Sequence, residues 1–279
     1  MHLVMILLAV ALSYGLRWSW IEPSGTWAER WQRSLLLFAL PPLMLLMTAL
    51  AVLCMGPQGR MLGLHTDWFS YWLVLGGVGV ALGFCLKLAV EGWRSLQQIR
   101  TYPQINLQAT SARLLDKPIL FSAQVGFWQP ELVVSQGLLQ TLNPNHLNAV
   151  LTHEQGHAYY RDTFWFFWLG WLRRLSFWLP NTEALWQELL VLRELRADRW
   201  AAERVDPLLL AESLLIVVST SIAAPESICA AFSQPAPRNR LQERIDALLE
   251  APPSIQSNSW IWSWGILSLL PLMAIPLHN

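Results

Sequence analysis

His153-Glu154-Gln155-Gly156-His157 is the stretch whose residue types and spacing can do chemistry. On a helix, side chains four positions apart leave the same face, one turn from each other. His153 and His157 can therefore offer two neutral imidazoles to one Zn²⁺, with N–Zn bonds of about 2 Å. Glu154 lies about 100° further round the helix. It can reach a water on that ion without ligating the ion, which is the geometry of a general base and proton shuttle. The bland alternative is a solvated helix with two incidental histidines. The chain has only six His, and donors further along complete a site, so the metal reading is preferred.

Two histidines leave zinc short of the three protein ligands usual in a catalytic centre. The best remaining donor is Glu194, on a separate predicted helix, with Asp198 one turn later on the same face. One carboxylate can bind the metal while the next accepts the second ring N–H of a ligand His, fixing its tautomer. Alone, Glu194 and Asp198 would read as a salt-bridged helix surface with Arg193, Arg196 and Arg199. Downstream of H-E-x-x-H they become site candidates.

The motif sits at the end of a helix predicted over 145–160, capped by Asn143 or Asn145 with Pro144 near its start. Residues 118–135 alternate weakly and carry Gly126 and Pro130, which predicts two short strands with a turn. Ser135 can cap a short helix over 136–142. Further helices are expected over 183–205, 207–222 and 238–250, with a loop at 223–237 and Pro252-Pro253 as a stop. The aromatic run 164–179 contains Arg173-Arg174 and predicts a helix lying in a membrane interface. Its alternative is a core helix with snorkelling arginines.

Hydrophobic residues make up 54% of the 279 and charged residues 14%, which is apolar-rich for a soluble domain. Many of the 17 Trp lie near the ends of apolar runs, as in an interfacial aromatic belt. A net charge of zero gives no case for nucleic acid as a partner. Cys54, Cys85 and Cys229 show no disulfide or metal spacing and read as small hydrophobes. Apolar runs at 3–20, 34–55, 68–90 and 260–277 predict four transmembrane helices; the last has a hydrophobic tail packed on the domain as its alternative. Basic residues place loop 17–33 and everything after 91 inside, and loop 56–67 outside. The expected organisation is a membrane region over 1–90, a cytoplasmic domain over 91–252 and a terminal helix within 253–279. The fold class is mainly α, a membrane protein with an α+β catalytic domain holding a short β-hairpin or small sheet.

His153 to His157 followed by Glu194-Leu195-Arg196-Ala197-Asp198 resembles the gluzincin integral-membrane zinc metallopeptidases. Two branches share features with the chain. The BlaR/MecR antibiotic-sensor proteases typically show R-x-D after the motif, then an aromatic run near W-F-N-P; here Arg161-Asp162 and Trp178-Leu179-Pro180-Asn181 are similar. The HtpX and CAAX prenyl protease group shows V-x-x-G-L-L before and E-x-x-A-D after; Val134 to Leu139 and Glu194 to Asp198 match. The short separation of Glu194 from His157 resembles the first branch, although Ala197 stands where that branch usually has Cys.

The resemblance covers roughly 118–250 and implies a zincin-like domain with one Zn²⁺ held by His153, His157 and Glu194. It also implies Glu154 as catalytic base, Asp198 orienting His153, and Asp162 as a further supporting group. Arg244, within the pair Arg244-Ile245 and with Arg240 nearby, would stabilise the oxyanion. The expected function is hydrolysis of peptide bonds in a protein or peptide substrate at the cytoplasmic face, in a multi-pass protein of a bacterial inner membrane. A cytoplasmic repressor or a misfolded membrane protein would be the partner, besides the lipid bilayer. The substrate would lie along an edge strand within 121–134. Neither lysine, Lys87 or Lys117, follows a Ser by three positions, so no S-x-x-K acylation motif for β-lactam sensing exists. An intramembrane protease is disfavoured because residues 143–162 carry too many polar groups. A non-catalytic scaffold that keeps the zinc fold is the other alternative.

Overall fold

The computed structural model describes residues 1–20, 25–61, 64–65, 67–107, 110–220, 240–249 and 265–277. It is mostly helical with a small mixed sheet, and its packing divides into two units. The first comprises Met1–Leu86, Trp171–Leu189 and Ser254–Asn279; the second comprises Lys87–Gly170 and Leu190–Pro253.

The first unit contains α1 (His2–Trp18), α2 (Trp27–Met55), the short strands β1 (Arg60–Met61) and β2 (Leu64–His65), and the start of α3 (Trp68–Arg100). Thr26 opens α2 with a capping box: its side chain accepts from Glu29 N, and the Glu29 carboxylate accepts from Thr26 N at 3.0 Å. Ala51, Val52, Met55 and Val74 form a buried cluster. The buried Arg17 guanidinium donates to Thr182 Oγ1 (3.0 Å), Ser176 Oγ (3.2 Å) and the Phe38 carbonyl (3.0 Å). Those dipoles stand in for water around a buried cation.

Two of the expected spans, α2 and α3, are long and apolar enough to cross a bilayer. The helix expected at 3–20 is 17 residues long, at the lower end of the roughly 17–25 residues that cross a bilayer. Residues 260–264 lie outside the described residues. Within the remainder of the expected fourth span, a 3-10 helix covers Leu270–Leu277. Among the described residues two of the four expected spans, α2 and α3, thus reach that length and apolarity, and His2–Trp18 is a shorter apolar helix. At ~1.5 Å per residue α3 is about 50 Å long, and its sequence turns polar from Lys87 onwards.

The second unit holds a four-stranded sheet of β3 (Gln104–Leu107), β4 (Thr110–Leu115), β5 (Ser122–Val125) and β6 (Glu131–Ser135). The order is β3-β4-β6-β5, with β4 and β6 parallel and the other pairs antiparallel. The predicted hairpin is β5/β6, with β5 at the sheet edge. β3 and β4 went unpredicted: Asn106, Ser111 and Arg113 interrupt any apolar run, and the parallel β4/β6 pairing is non-local. Ser135 caps α4 (Gln136–Thr141) through Leu138 N. A Cβ on Gly137 would lie 2.3 Å from the Pro118 carbonyl oxygen, so this turn requires glycine.

Helices α5 (Pro144–Tyr159), α6 (Asp162–Leu175), α7 (Thr182–Ala202), α8 (Pro207–Thr220) and α9 (Leu241–Leu249) follow. The 223–237 loop and Pro252-Pro253 fall outside the described residues. The two inner faces of α5 enter different clusters. Val150 and Leu151 pack with Leu132, Val134 and Leu138, whereas Ala149 packs with Ala201, Leu210 and Leu248. The motif helix is thereby wedged between sheet and helices. α6 is one-sided, with Phe166 and Phe167 buried and Trp165 exposed.

Candidate metal centre

The Asn143 side chain caps α5 by accepting from His146 N at 2.9 Å, with Pro144 at the first position. The helix ends at Arg161, whose φ of 53° is left-handed, and the chain turns at once into α6. That reversal carries Asp162 back towards the motif, where its Oδ2 lies 2.8 Å from His157 Nδ1. Asp198 on α7 does the same for the other ring, with Oδ1 2.8 Å from His153 Nδ1. Each imidazole thus faces a carboxylate with Nδ1 and the centre with Nε2.

The two Nε2 atoms are 3.1 Å apart. Glu194 Oε2 lies 3.4 Å from His153 Nε2, and Oε1 lies 3.6 Å from His157 Nε2. Ligand atoms of His153, His157 and Glu194 all fall within 4.8 Å of one another and can hold a metal ion. The donor chemistry fits one. With Nδ1–H turned to the carboxylates, both Nε2 atoms present lone pairs to each other and to a carboxylate, and a metal cation at the middle, or protons on the rings, would relieve that contact.

Three guanidiniums, two of them buried and that of Arg196 half-buried, support the carboxylates. Arg244 of α9 donates from Nε to Asp198 Oδ2 (2.7 Å) and from Nη2 to Oδ1 (2.8 Å), and its Nη1 lies 3.5 Å from Glu194 Oε2. Arg193 donates from Nε and Nη2 to Glu194 Oε1 (3.0 and 2.8 Å) and stacks over Phe166. Arg196 donates to Asp162 Oδ1 and stacks over Tyr160. Arg240, the other arginine considered near the site, pairs with Glu243. Glu154 is buried and accepts a hydrogen bond on Oε1 from the Ser122 hydroxyl at 2.7 Å.

The electrostatics follow from this crowding. Burial acts against charged imidazole, yet Glu194 and Asp162 outweigh it and push His157 up to about 10. His153 is raised in the same sense, burial being overcome by Asp198 and Glu194. Burial would raise Glu194, but the charges on His157 and Arg193 hold it well below the usual carboxylate range. Asp198 is lowered against its burial by Arg244 and His153. Without a metal the cluster recruits protons to the two rings; metal and proton compete for the same nitrogen atoms.

The structure brings His153, His157, Asp162, Glu194, Asp198 and Arg244 into one network, and Glu154, buried next to His153 in the chain, is held by Ser122. Sequence reasoning missed Ser122, and it treated Arg193 and Arg196 only as surface partners. Their position directly beside Glu194 was the available signal for the two arginines. Ser122 carried none, because its contact depends on how the sheet packs on α5.

Residues 108–193 match the model of peptidase family M48. That stretch includes the H-E-x-x-H helix and stops one residue before Glu194, so the placement of Glu194, Asp198 and Arg244 stands on geometry alone. No curated protein matches the chain. The match and the His-His-Glu cluster together indicate a metallopeptidase-type hydrolase.

Proposed function

We propose that this chain is a membrane-anchored zinc endopeptidase that hydrolyses peptide bonds of protein substrates. The observation that carries the reading is the convergence of His153 Nε2, His157 Nε2 and the Glu194 carboxylate beside a separately held Glu154. Two imidazoles and one carboxylate suit zinc, and three protein ligands leave a coordination position open. When bound, the ion supplies Lewis acidity, which polarises a carbonyl and makes a water more acidic.

The chain's own groups supply the rest. Asp162 and Asp198 hold the two imidazoles with Nε2 directed inward. Ser122 engages Glu154 Oε1, so Oε2 takes the proton of the attacking water and passes it to the departing amine. The peptide lies extended along β5, which is at the edge of the sheet among the described residues. Membrane anchoring is supported by α2 and α3; the most apolar window of α3 is only 17% buried, which suits lipid contact. The basic residues after α3 favour a cytoplasmic site.

The test is Glu154→Gln in the full chain, reconstituted in nanodiscs with zinc. Loss of a general base should lower casein cleavage by about 10²–10⁴-fold with the metal content unchanged. Undiminished cleavage at full zinc occupancy overturns the mechanism.

A further inference from the structure

Ser122 and Gln124 alternate on one face of β5, and both reach residue 154. The Ser122 hydroxyl donates to Glu154 Oε1 at 2.7 Å, and Gln124 Nε2 donates to the Glu154 main-chain carbonyl at 3.2 Å. One strand therefore grips the same residue by its side chain and by its backbone. Residues two apart on a strand share a face, so the double grip follows from the register. That register is fixed by Ser122 opposite Val134 and Gln124 opposite Leu132, with Ala123, Val125, Leu132 and Val134 all buried. A slip by one residue would turn both polar side chains away from α5.

We infer that Ser122 is a positioning residue that sets the rotamer of Glu154 and ties it to the strand along which the peptide lies. The inference rests on the hydrolase reading above. A free glutamate samples several rotamers, and ordering it beforehand removes that entropy cost from the reaction. Ser122 has a single χ angle and stands on a strand, so its hydroxyl is held in advance of the reaction. The donor is neutral. The other three carboxylates of the network, Asp162, Glu194 and Asp198, are each held by a guanidinium. Glu154 is held without a positive charge placed on its acceptor oxygen. A peptide paired to the outer edge of β5 would have its scissile carbonyl positioned by the same strand that aims the base, so a single element governs their separation.

The test compares Ser122→Ala and Ser122→Thr with the wild type, each as the full zinc-loaded chain in nanodiscs. The readouts are zinc content, kcat and KM on one peptide, and equilibrium binding of acetohydroxamate, whose acidic proton needs a carboxylate beside the metal. A hydrogen bond to a charged group implies that Ser122→Ala lowers kcat by about tenfold or more. It should weaken hydroxamate binding as well, with KM and zinc content unchanged. Ser122→Thr, which keeps the hydroxyl and adds a methyl group, should recover most of both losses. If Ser122→Ala behaves as the wild type, or if Ser122→Thr is no better than Ser122→Ala, the positioning role is overturned. A wild type that binds zinc and hydroxamate but cleaves nothing overturns the hydrolase reading, while the hydroxamate comparison still decides the hold on Glu154. Loss of zinc from Ser122→Thr would make the contact structural and overturn the inference.

Discussion

Arg244 grips Asp198 with two parallel contacts, Nε to Oδ2 at 2.7 Å and Nη2 to Oδ1 at 2.8 Å. Both residues are buried, and Asp198 Oδ1, which accepts from Arg244 Nη2, also lies 2.8 Å from His153 Nδ1. A short chain of contacts thus runs from α9 through α7 to a ring whose Nε2 points into the centre. Arg244 was expected from the family resemblance to stabilise the oxyanion. Its two donors on Asp198 give it a second role to test, as a support for the His153 ring. Arg244→Lys keeps the charge and loses the fork that matches a carboxylate. Removing a partner of this kind typically weakens metal binding 10–100-fold. Zinc titration should show that loss, with cleavage returning at saturating zinc. An oxyanion role predicts the opposite pattern, with zinc affinity intact and kcat lost.

Gly156 lies between the two histidines, where α5 comes close to the backbone of α7 at Ala197. A Cβ there would sit 3.2 Å from the Ala197 carbonyl oxygen and 3.3 Å from Ala197 Cα. These are backbone atoms of the helix that carries Glu194, so they cannot swing aside as a side chain would. Gly156→Val should destabilise the fold by about 1–3 kcal/mol through overpacking. It should also reduce zinc affinity, because the helices bearing the histidines and Glu194 must separate. Thermal melts with and without zinc would check both effects; a variant that matches the wild type in each would contradict this packing.

Glu131 at the start of β6 accepts from Arg100 at the end of α3 (2.7 Å) and from Arg113 on β4 (2.9 Å). Its partial burial raises the carboxyl, but the two arginines outweigh this and hold it below the usual range. A carboxylate lowered on folding stabilises the protein above its unfolded value of about 4.3. That contribution disappears as pH falls through the lower folded value. Glu131→Gln should therefore cost about 1 kcal/mol at neutral pH, the upper end for a partly exposed pair. The difference from wild type should close below about pH 4, as read by denaturant unfolding across a pH series. A pH-independent difference would assign the loss to packing.

The motif helix was legible because its signals are local. Pro144, the Asn143 cap and the four-residue spacing of His153 and His157 depend only on neighbours along the chain. The β5/β6 hairpin was legible from Gly126 and Pro130 for the same reason. The first apolar run was legible as a helix, and α1 ends at Trp18, two residues before the expected end, because hydropathy does not reveal where a helix stops.

Glu194 and Asp198 mark the limit of that local information. They lie one turn apart on one face of α7, and periodicity treats them alike. The crossing of α7 on α5 at Gly156 brings the Glu194 carboxylate against both Nε2 atoms and Asp198 against Nδ1 of His153. Ser122 was invisible for the same reason, since its partner lies 32 residues along the chain. By itself the sequence determined which residues can bind a metal and carry a proton, because helical spacing is a short-range property of the backbone. Only the tertiary structure decided which oxygen faces which nitrogen, because that depends on contacts between distant elements whose packing no local pattern encodes.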